Sequence, residues 1–140
     1  MWAGWYEAYK DRLRWVLDTP GGAACLAYSP DGRLLAIGSY DGTATLWDQE
    51  TGAKVRTLRG HTSVIQDVVF SPDGARVGTA SWDSSVRIWD TRSGELVMAP
   101  LMHEGLARAV AFPPDATLIV TGTPGGLAFW DANSGAPLSD

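Results

Sequence analysis

A chain of 140 residues, 45% hydrophobic and carrying a net charge of −5 at pH 7, has room for one domain with a sizeable core. Its acidic balance argues against nucleic acid or an anionic membrane as the main partner. Cys25 is the one cysteine, which excludes an internal disulfide and makes the cytoplasm the default compartment.

From the N-terminus, Trp2, Trp5, Tyr6, Tyr9 and Leu13 fall at helical spacing, with Glu7, Lys10 and Asp11 off that stripe. A short amphipathic helix is therefore expected over Ala3–Asp11, within an N-terminal segment 1–11. The mixed charge beside its aromatic face is wrong for a membrane anchor, so the stripe is read as a packing surface. The same charges rule out a secretory signal. Nor does any apolar run approach the roughly 20 residues needed to span a bilayer.

Over Arg12–Leu17 the pattern becomes an alternation, which predicts a lone outer strand at 12–17. Three similar units follow, at 23–59, 60–101 and 102–140. Strands are predicted at Ala24–Ser29, Arg33–Ser39, Thr43–Asp48 and Ala53–Leu58 in the first. The second gives Ile65–Ser71, Ala75–Ser81, Ser85–Asp90 and Glu95–Ala99. The third gives Ala107–Phe112, Thr117–Thr121 and Leu127–Asp131, with a truncated strand over Ala136–Asp140. Alternation such as Val68/Phe70 against Val69/Ser71 marks these as antiparallel strands. Between the first two strands of each unit stands a turn with the preset proline angle.

That turn recurs. Ser29-Pro30-Asp31-Gly32 becomes Ser71-Pro72-Asp73-Gly74 after 42 residues, then Pro113-Pro114-Asp115-Ala116 after 42 more. Trp47-Asp48 recurs at Trp89-Asp90 and at Trp130-Asp131. Units of this length ending in Trp-Asp resemble the blades of WD40-repeat proteins. The resemblance implies an all-β chain: a partial WD40 β-propeller of about three four-stranded antiparallel blades, with a short N-terminal helix. Propellers close with four to eight blades, so three would leave an apolar face at each end. Either the sequence is a fragment of a longer propeller, or copies assemble into a homo-oligomeric ring. The stretch Met98–Phe112 also resembles linking segments of large bacterial multi-repeat proteins, where such propellers are fused to kinases or other signalling domains.

Within the family a structural network joins His, Ser or Thr, Asp and Trp. Carried over to the second unit, these are His61, Thr79, Asp83 and Trp89. A hydrolase triad could be drawn from the same residues, but no Gly-x-Ser-x-Gly elbow is present. Satisfying both nitrogens of a buried imidazole explains the set without catalysis. The first unit departs, with Ile37 for the hydroxyl and Thr19 for the histidine. The third keeps His103, Thr121 and Trp130 but has Gly125 for the aspartate, in a turn one residue shorter. No metal site is expected from two histidines and one cysteine, and no cofactor from Gly122–Gly126, which lacks a following Gly-Lys-Ser/Thr.

Tyr40 and Trp82 precede the turn aspartate at matching positions in adjacent units, with Pro124 breaking the row. In the family this position lies on a rim often used to hold partners. Tyrosine and tryptophan dominate binding hot spots, although such rings can also merely lean on a neighbouring loop. The sequence therefore points to a non-enzymatic protein–protein interaction scaffold. A module that only builds a ring, or a fragment of a larger bacterial signalling protein, is the alternative.

Overall fold

The computed structural model describes residues 17–138. The helix expected over 3–11, and all of the strand expected over 12–17 except Leu17, lie outside the described residues. The described chain forms three antiparallel sheets. The first runs β1 (Cys25–Tyr28), β2 (Leu34–Gly38), β3 (Ala44–Asp48) and β4 (Lys54–Leu58) in that order. The second repeats it with β5 (Ile65–Phe70), β6 (Arg76–Ser81), β7 (Ser85–Asp90) and β8 (Leu101–Met102). In the third, β9 (Ala109–Ala111), β10 (Leu118–Thr123) and β11 (Gly126–Asp131) make a three-stranded sheet. First strands pack side by side, β1 against β5 and β5 against β9. This is a partial β-propeller.

Two side-chain devices build every sheet. At the first turn the amides of Gly32, Gly74 and Ala116 donate to the carbonyls of Ser29, Ser71 and Pro113 at 2.8–2.9 Å. The turn carboxylates of Asp31, Asp73 and Asp115 accept from the amides of Arg33, Ala75 and Thr117. The φ values at the closing residue are 73° for Gly32 and Gly74, and 54° for Ala116. The third turn therefore places a side chain in the left-handed region that glycine occupies freely. After each tryptophan, the aspartate caps the next turn. Asp48 accepts from the amides of Glu50 and Thr51, Asp90 from Arg92 and Ser93, and Asp131 from Asn133 and Ser134, all at 2.8–2.9 Å. Each of these turns ends in a glycine, Gly52, Gly94 or Gly135, with φ between 71° and 75°.

The fourth strand of the second unit differs from the sequence expectation. Of the predicted Glu95–Ala99 strand, Glu95–Val97 meets β7, through a bridge of Leu96 to Trp89 and backbone hydrogen bonds from the Asp90 amide to the Glu95 carbonyl and from the Val97 amide to the Ile88 carbonyl. The ladder's paired residues are Leu101 and Met102, opposite Val86 and Ser85. Pro100, lacking an N–H, interrupts the ladder between them. In the third unit, Pro137 makes only a bridge, to Trp130. There β10 and β11 extend beyond the expected ends because Pro124-Gly125 closes a tight two-residue turn between Thr123 and Gly126.

The core lies between sheets. Ala36, Ala44, Leu46 and Leu58 of the first sheet meet Ile65, Val68 and Val77 of the second, with Trp89 beside them. Ala80, Val86, Ile88 and Leu101 of the second meet Val110 and Ile119 of the third. Small residues on the second strand of one sheet receive large ones from the first strand of the next. A methyl added at Gly78 would stand 3.1 Å from Val110, and one at Gly38 only 2.6 Å from Ile65. Ile88→Ala, at a fully buried site, should cost about 2–5 kcal/mol in denaturant unfolding. Leu127→Ala, at a position 70% exposed on the unpaired face of the third sheet, should stay within about 0.5 kcal/mol.

Candidate functional site

The structure brings His61, Thr79, Asp83 and Trp89 together. His61 stands in the loop before β5, Thr79 in mid-β6, Asp83 in the β6–β7 turn and Trp89 near the end of β7. The ring nitrogen Nδ1 lies 2.8 Å from an Asp83 carboxylate oxygen, and Nε2 lies 2.7 Å from the Thr79 hydroxyl. Trp89 donates its indole N–H to the same hydroxyl oxygen at 2.9 Å. In the neutral tautomer these partners assign, Nδ1–H donates to the carboxylate and Nε2 accepts from Thr79. Asp83 also accepts from the amides of Thr62 and Ser85 and from the Ser85 hydroxyl, at 2.7–3.1 Å. Ser85 is a member that the sequence analysis missed. Its signal was position, two residues after the turn aspartate on the same hairpin.

Burial sets the electrostatics. It pushes the His61 imidazole below its ordinary pKa, more strongly than Asp83 lifts it. At Asp83 burial works the other way, upward. It is outweighed by hydrogen bonds from Ser85, His61 and the Thr62 amide, which hold the carboxyl at about 2. Thr79 is fully buried, and its hydroxyl is committed to the indole N–H and to His61. The arrangement fixes a loop, a sheet and a turn to one another. It also joins two units. A Cβ on Gly42, in the first unit's β2–β3 turn, would stand 2.7 Å from the His61 carbonyl, so that turn seats directly on the histidine corner.

The other units show what the missing members do. In the first sheet, Ile37 stands opposite Thr45, and the Trp47 indole donates to the Thr45 hydroxyl within its own strand. Asp41 turns back to the amide and hydroxyl of Thr43. In the third, Trp130 keeps its bond to Thr121 at 2.9 Å. Buried Nε2 of His103, however, has no hydrogen-bond partner among the described residues.

Tyr40 and Trp82 sit on the rim at the β2–β3 and β6–β7 turns, 62% and 43% exposed. The Tyr40 ring borders Gly22, and the Trp82 amide is tied to the Val64 carbonyl at 3.0 Å. Bonds of Ser39 and Gly42 on either side of Tyr40, and of Trp82 itself, hold the turns that present the two rings outward. Among the described residues, no group of three or more His, Cys, Asp and Glu side chains is placed to hold a metal ion. No described helix is long and apolar enough to cross a membrane.

Two outcomes test the network. Thr79→Val removes the hydroxyl shared by His61 and Trp89 and should cost about 1–3 kcal/mol, measured by chemical unfolding. For pH, both folded-state pKa values lie below their unfolded ones, so the unfolded chain takes up protons first as pH falls. Stability should decline as pH drops through the ordinary histidine range, and again below the ordinary aspartate range towards about 2. Asp83→Asn should abolish the second decline at this site.

Comparison with known proteins follows the same outline. The family model described as "WD domain, G-beta repeat" matches residues 13–48 and 52–90, more than half of the chain. Human "WD repeat-containing protein 86" is 45% identical over 53 residues, 38% of this chain and 14% of that protein. "Nuclear distribution protein nudF" of Aspergillus flavus is 36% identical over 62 residues, 44% of this chain and 11% of its own length. "Probable E3 ubiquitin ligase complex SCF subunit sconB" of Aspergillus terreus is 37% identical over 67 residues, 39% of this chain and 10% of that one. The chain thus spans about a seventh or less of these relatives. A crystal structure of the computationally designed Ika4 protein superposes with a TM-score of 0.80 at 27% identity, covering 89% of this chain and 76% of the designed one. With its repeats matched and the third strand of each sheet ending in a Trp-Asp pair, the chain belongs to the WD40 repeat family.

Proposed function

We propose that the chain is a non-enzymatic platform for protein–protein recognition, with its binding surface on the rim that carries Tyr40 and Trp82. WD40 repeats typically mediate such contacts, and one relative is named as a probable subunit of a ubiquitin ligase complex. The observation that carries the reading is the pair of exposed aromatic rings on backbones that the fold holds still. Rigid aromatics supply contact area at little conformational cost on binding, as recognition surfaces require.

A second reading, self-association, has its own observation. Val86 and Ile88 are fully buried, while Leu127 and Phe129 at the matching positions of the third sheet are 70% and 44% exposed. On the first sheet, Leu26 and Tyr28 are 64% and 56% exposed, at positions where Val68 and Phe70 insert into a neighbour in the second. These free faces suit another unit of the same kind, whether from a longer chain or a second copy. Light scattering of the purified chain should give a dimer or larger ring if copies close on one another.

The platform reading is tested by selecting a binding peptide from a displayed library on the wild-type chain. Tyr40→Ala and Trp82→Ala should each weaken that peptide by about 2 kcal/mol or more, read by calorimetry, with the thermal melting curve nearly unchanged. Unaltered affinity in both variants, or equal loss of folding, defeats it.

A further inference from the structure

The third unit carries an incomplete copy of the His61–Asp83 pair, and it opens onto a cavity. His103 occupies the place of His61, and the turn that should bring a carboxylate to it holds Pro124-Gly125 instead, one residue shorter. A cavity of about 470 Å³ lies there, lined by His103, Glu104 and Gly105 on one side and by the 123–128 hairpin on the other. Without a carboxylate to orient it, the ring has shifted. It stands edge-on to Trp130 with centroids 5.3 Å apart, against 6.4 Å between His61 and Trp89. Its buried Nε2 bonds to nothing among the described residues, although Thr121 is present to play the part of Thr79.

The geometry points to a carboxylate-binding site at this cavity, filled by an aspartate or glutamate side chain of a polypeptide partner. The intact pair in the second unit supplies the template. There the carboxylate accepts from Nδ1 of His61 at 2.8 Å and from the next residue's amide, that of Thr62, at 3.1 Å. Nδ1 of His103 and the amide of Glu104 are the corresponding donors. A carboxylate on Nδ1 fixes that nitrogen as the protonated one, and a ring drawn by it to the position that His61 holds would bring Nε2, now an acceptor, towards the Thr121 hydroxyl and so pair the buried atom as well. Glu104 at the cavity edge, and the chain's net charge of −5, oppose an anion. A carboxylate must therefore be held by further contacts besides its charge, which a peptide chain supplies and a small free anion lacks. Choice of a polypeptide source rests on the platform reading, because the cavity opens at the β10–β11 hairpin, the counterpart of those bearing Tyr40 and Trp82.

The test follows the imidazole nitrogen shifts of His103 by NMR in the whole chain, which report which ring nitrogen holds the proton. The probes are a capped tripeptide, Gly-Asp-Gly, the matching Gly-Asn-Gly control, and acetate. A saturable shift towards the Nδ1–H form with the aspartate peptide, absent with the asparagine control, is the expected result. Replacing 123–126 by the five residues Ser81-Trp82-Asp83-Ser84-Ser85 supplies the carboxylate internally. That graft should show the Nδ1–H form without peptide, weaken peptide binding by about tenfold or more, and melt at a higher temperature. No saturable response to the aspartate peptide, or a graft whose ring titrates and binds as in the wild type, overturns the site. Acetate binding as tightly as the peptide overturns the polypeptide source. Retention of the response in Tyr40→Ala and Trp82→Ala forms supports a site independent of the rim aromatics, so failure of the rim reading is seen separately.

Discussion

The molecule depends on one constraint: a short four-stranded sheet of this sequence is apolar on both faces, and only a sheet of the same kind fits against either. Small residues on one face make this possible. Ala36, Gly38 and Ala44 on the first sheet, and Gly78 and Ala80 on the second, form shallow floors. Ile65 and Val68, or Val110 and Phe112, descend onto them from the next sheet. Burying such side chains stabilises by about 1.5–3 kcal/mol each, and the gain is realised only across a junction. A single sheet has no core of its own, so stability belongs to the contacts between units.

Polar groups resolve a second problem, the joining of rim to core. Each junction brings a loop over the edge of a sheet, and a loop taken from water leaves amides and side chains in need of partners. In the second unit one histidine meets that need. It links the loop before β5, the centre of β6 and the following turn, and the first unit's Gly42 turn packs against the same corner. Such a network stabilises strongly when complete and is costly when one member is lost, since the remaining buried atom keeps its desolvation penalty. The first unit avoids the cost by having no histidine, and its Trp47 finds a hydroxyl within its own strand. The third keeps the histidine without its carboxylate and shows the unpaired nitrogen that follows.

Much of this was legible in the residues. Alternation and the recurring turns located ten of the strands to within a few residues, because period-2 patterning and Pro-Asp-Gly chemistry are local. What escaped was set in part by distant partners and in part by local capping. The outer strand of the second unit, expected at Glu95–Ala99, meets its neighbour there only over Glu95–Val97, because Pro100 withholds the N–H that pairing needs and the ladder resumes at Leu101 and Met102. The role of the aspartate in each Trp-Asp pair was also missed, as cap of the turn closed by Gly52, Gly94 or Gly135. A glycine four residues after every one of those aspartates was the available signal. At the candidate site, the histidine set could be carried over from the family resemblance. Exposure of Leu127 against burial of Val86 could not, because the two positions have the same local pattern and differ only in whether a neighbour is present.

These constraints also decide where recognition can evolve. Strand residues answer to two sheets at once, and a change of one methylene at Gly38 or Gly78 meets a neighbour within about 3 Å. Corner residues answer to the hydrogen-bond network. The residue just before the β2–β3-type turn aspartate, or before the Gly125 that replaces it, is tied to neither: at Trp82 the backbone is committed while the side chain projects outward. Tyrosine, tryptophan and proline occupy that position in three units otherwise alike. Variation confined to a rigid rim changes what a partner meets without disturbing what holds the sheets together, which is the physical basis for a recognition surface on a repeat scaffold.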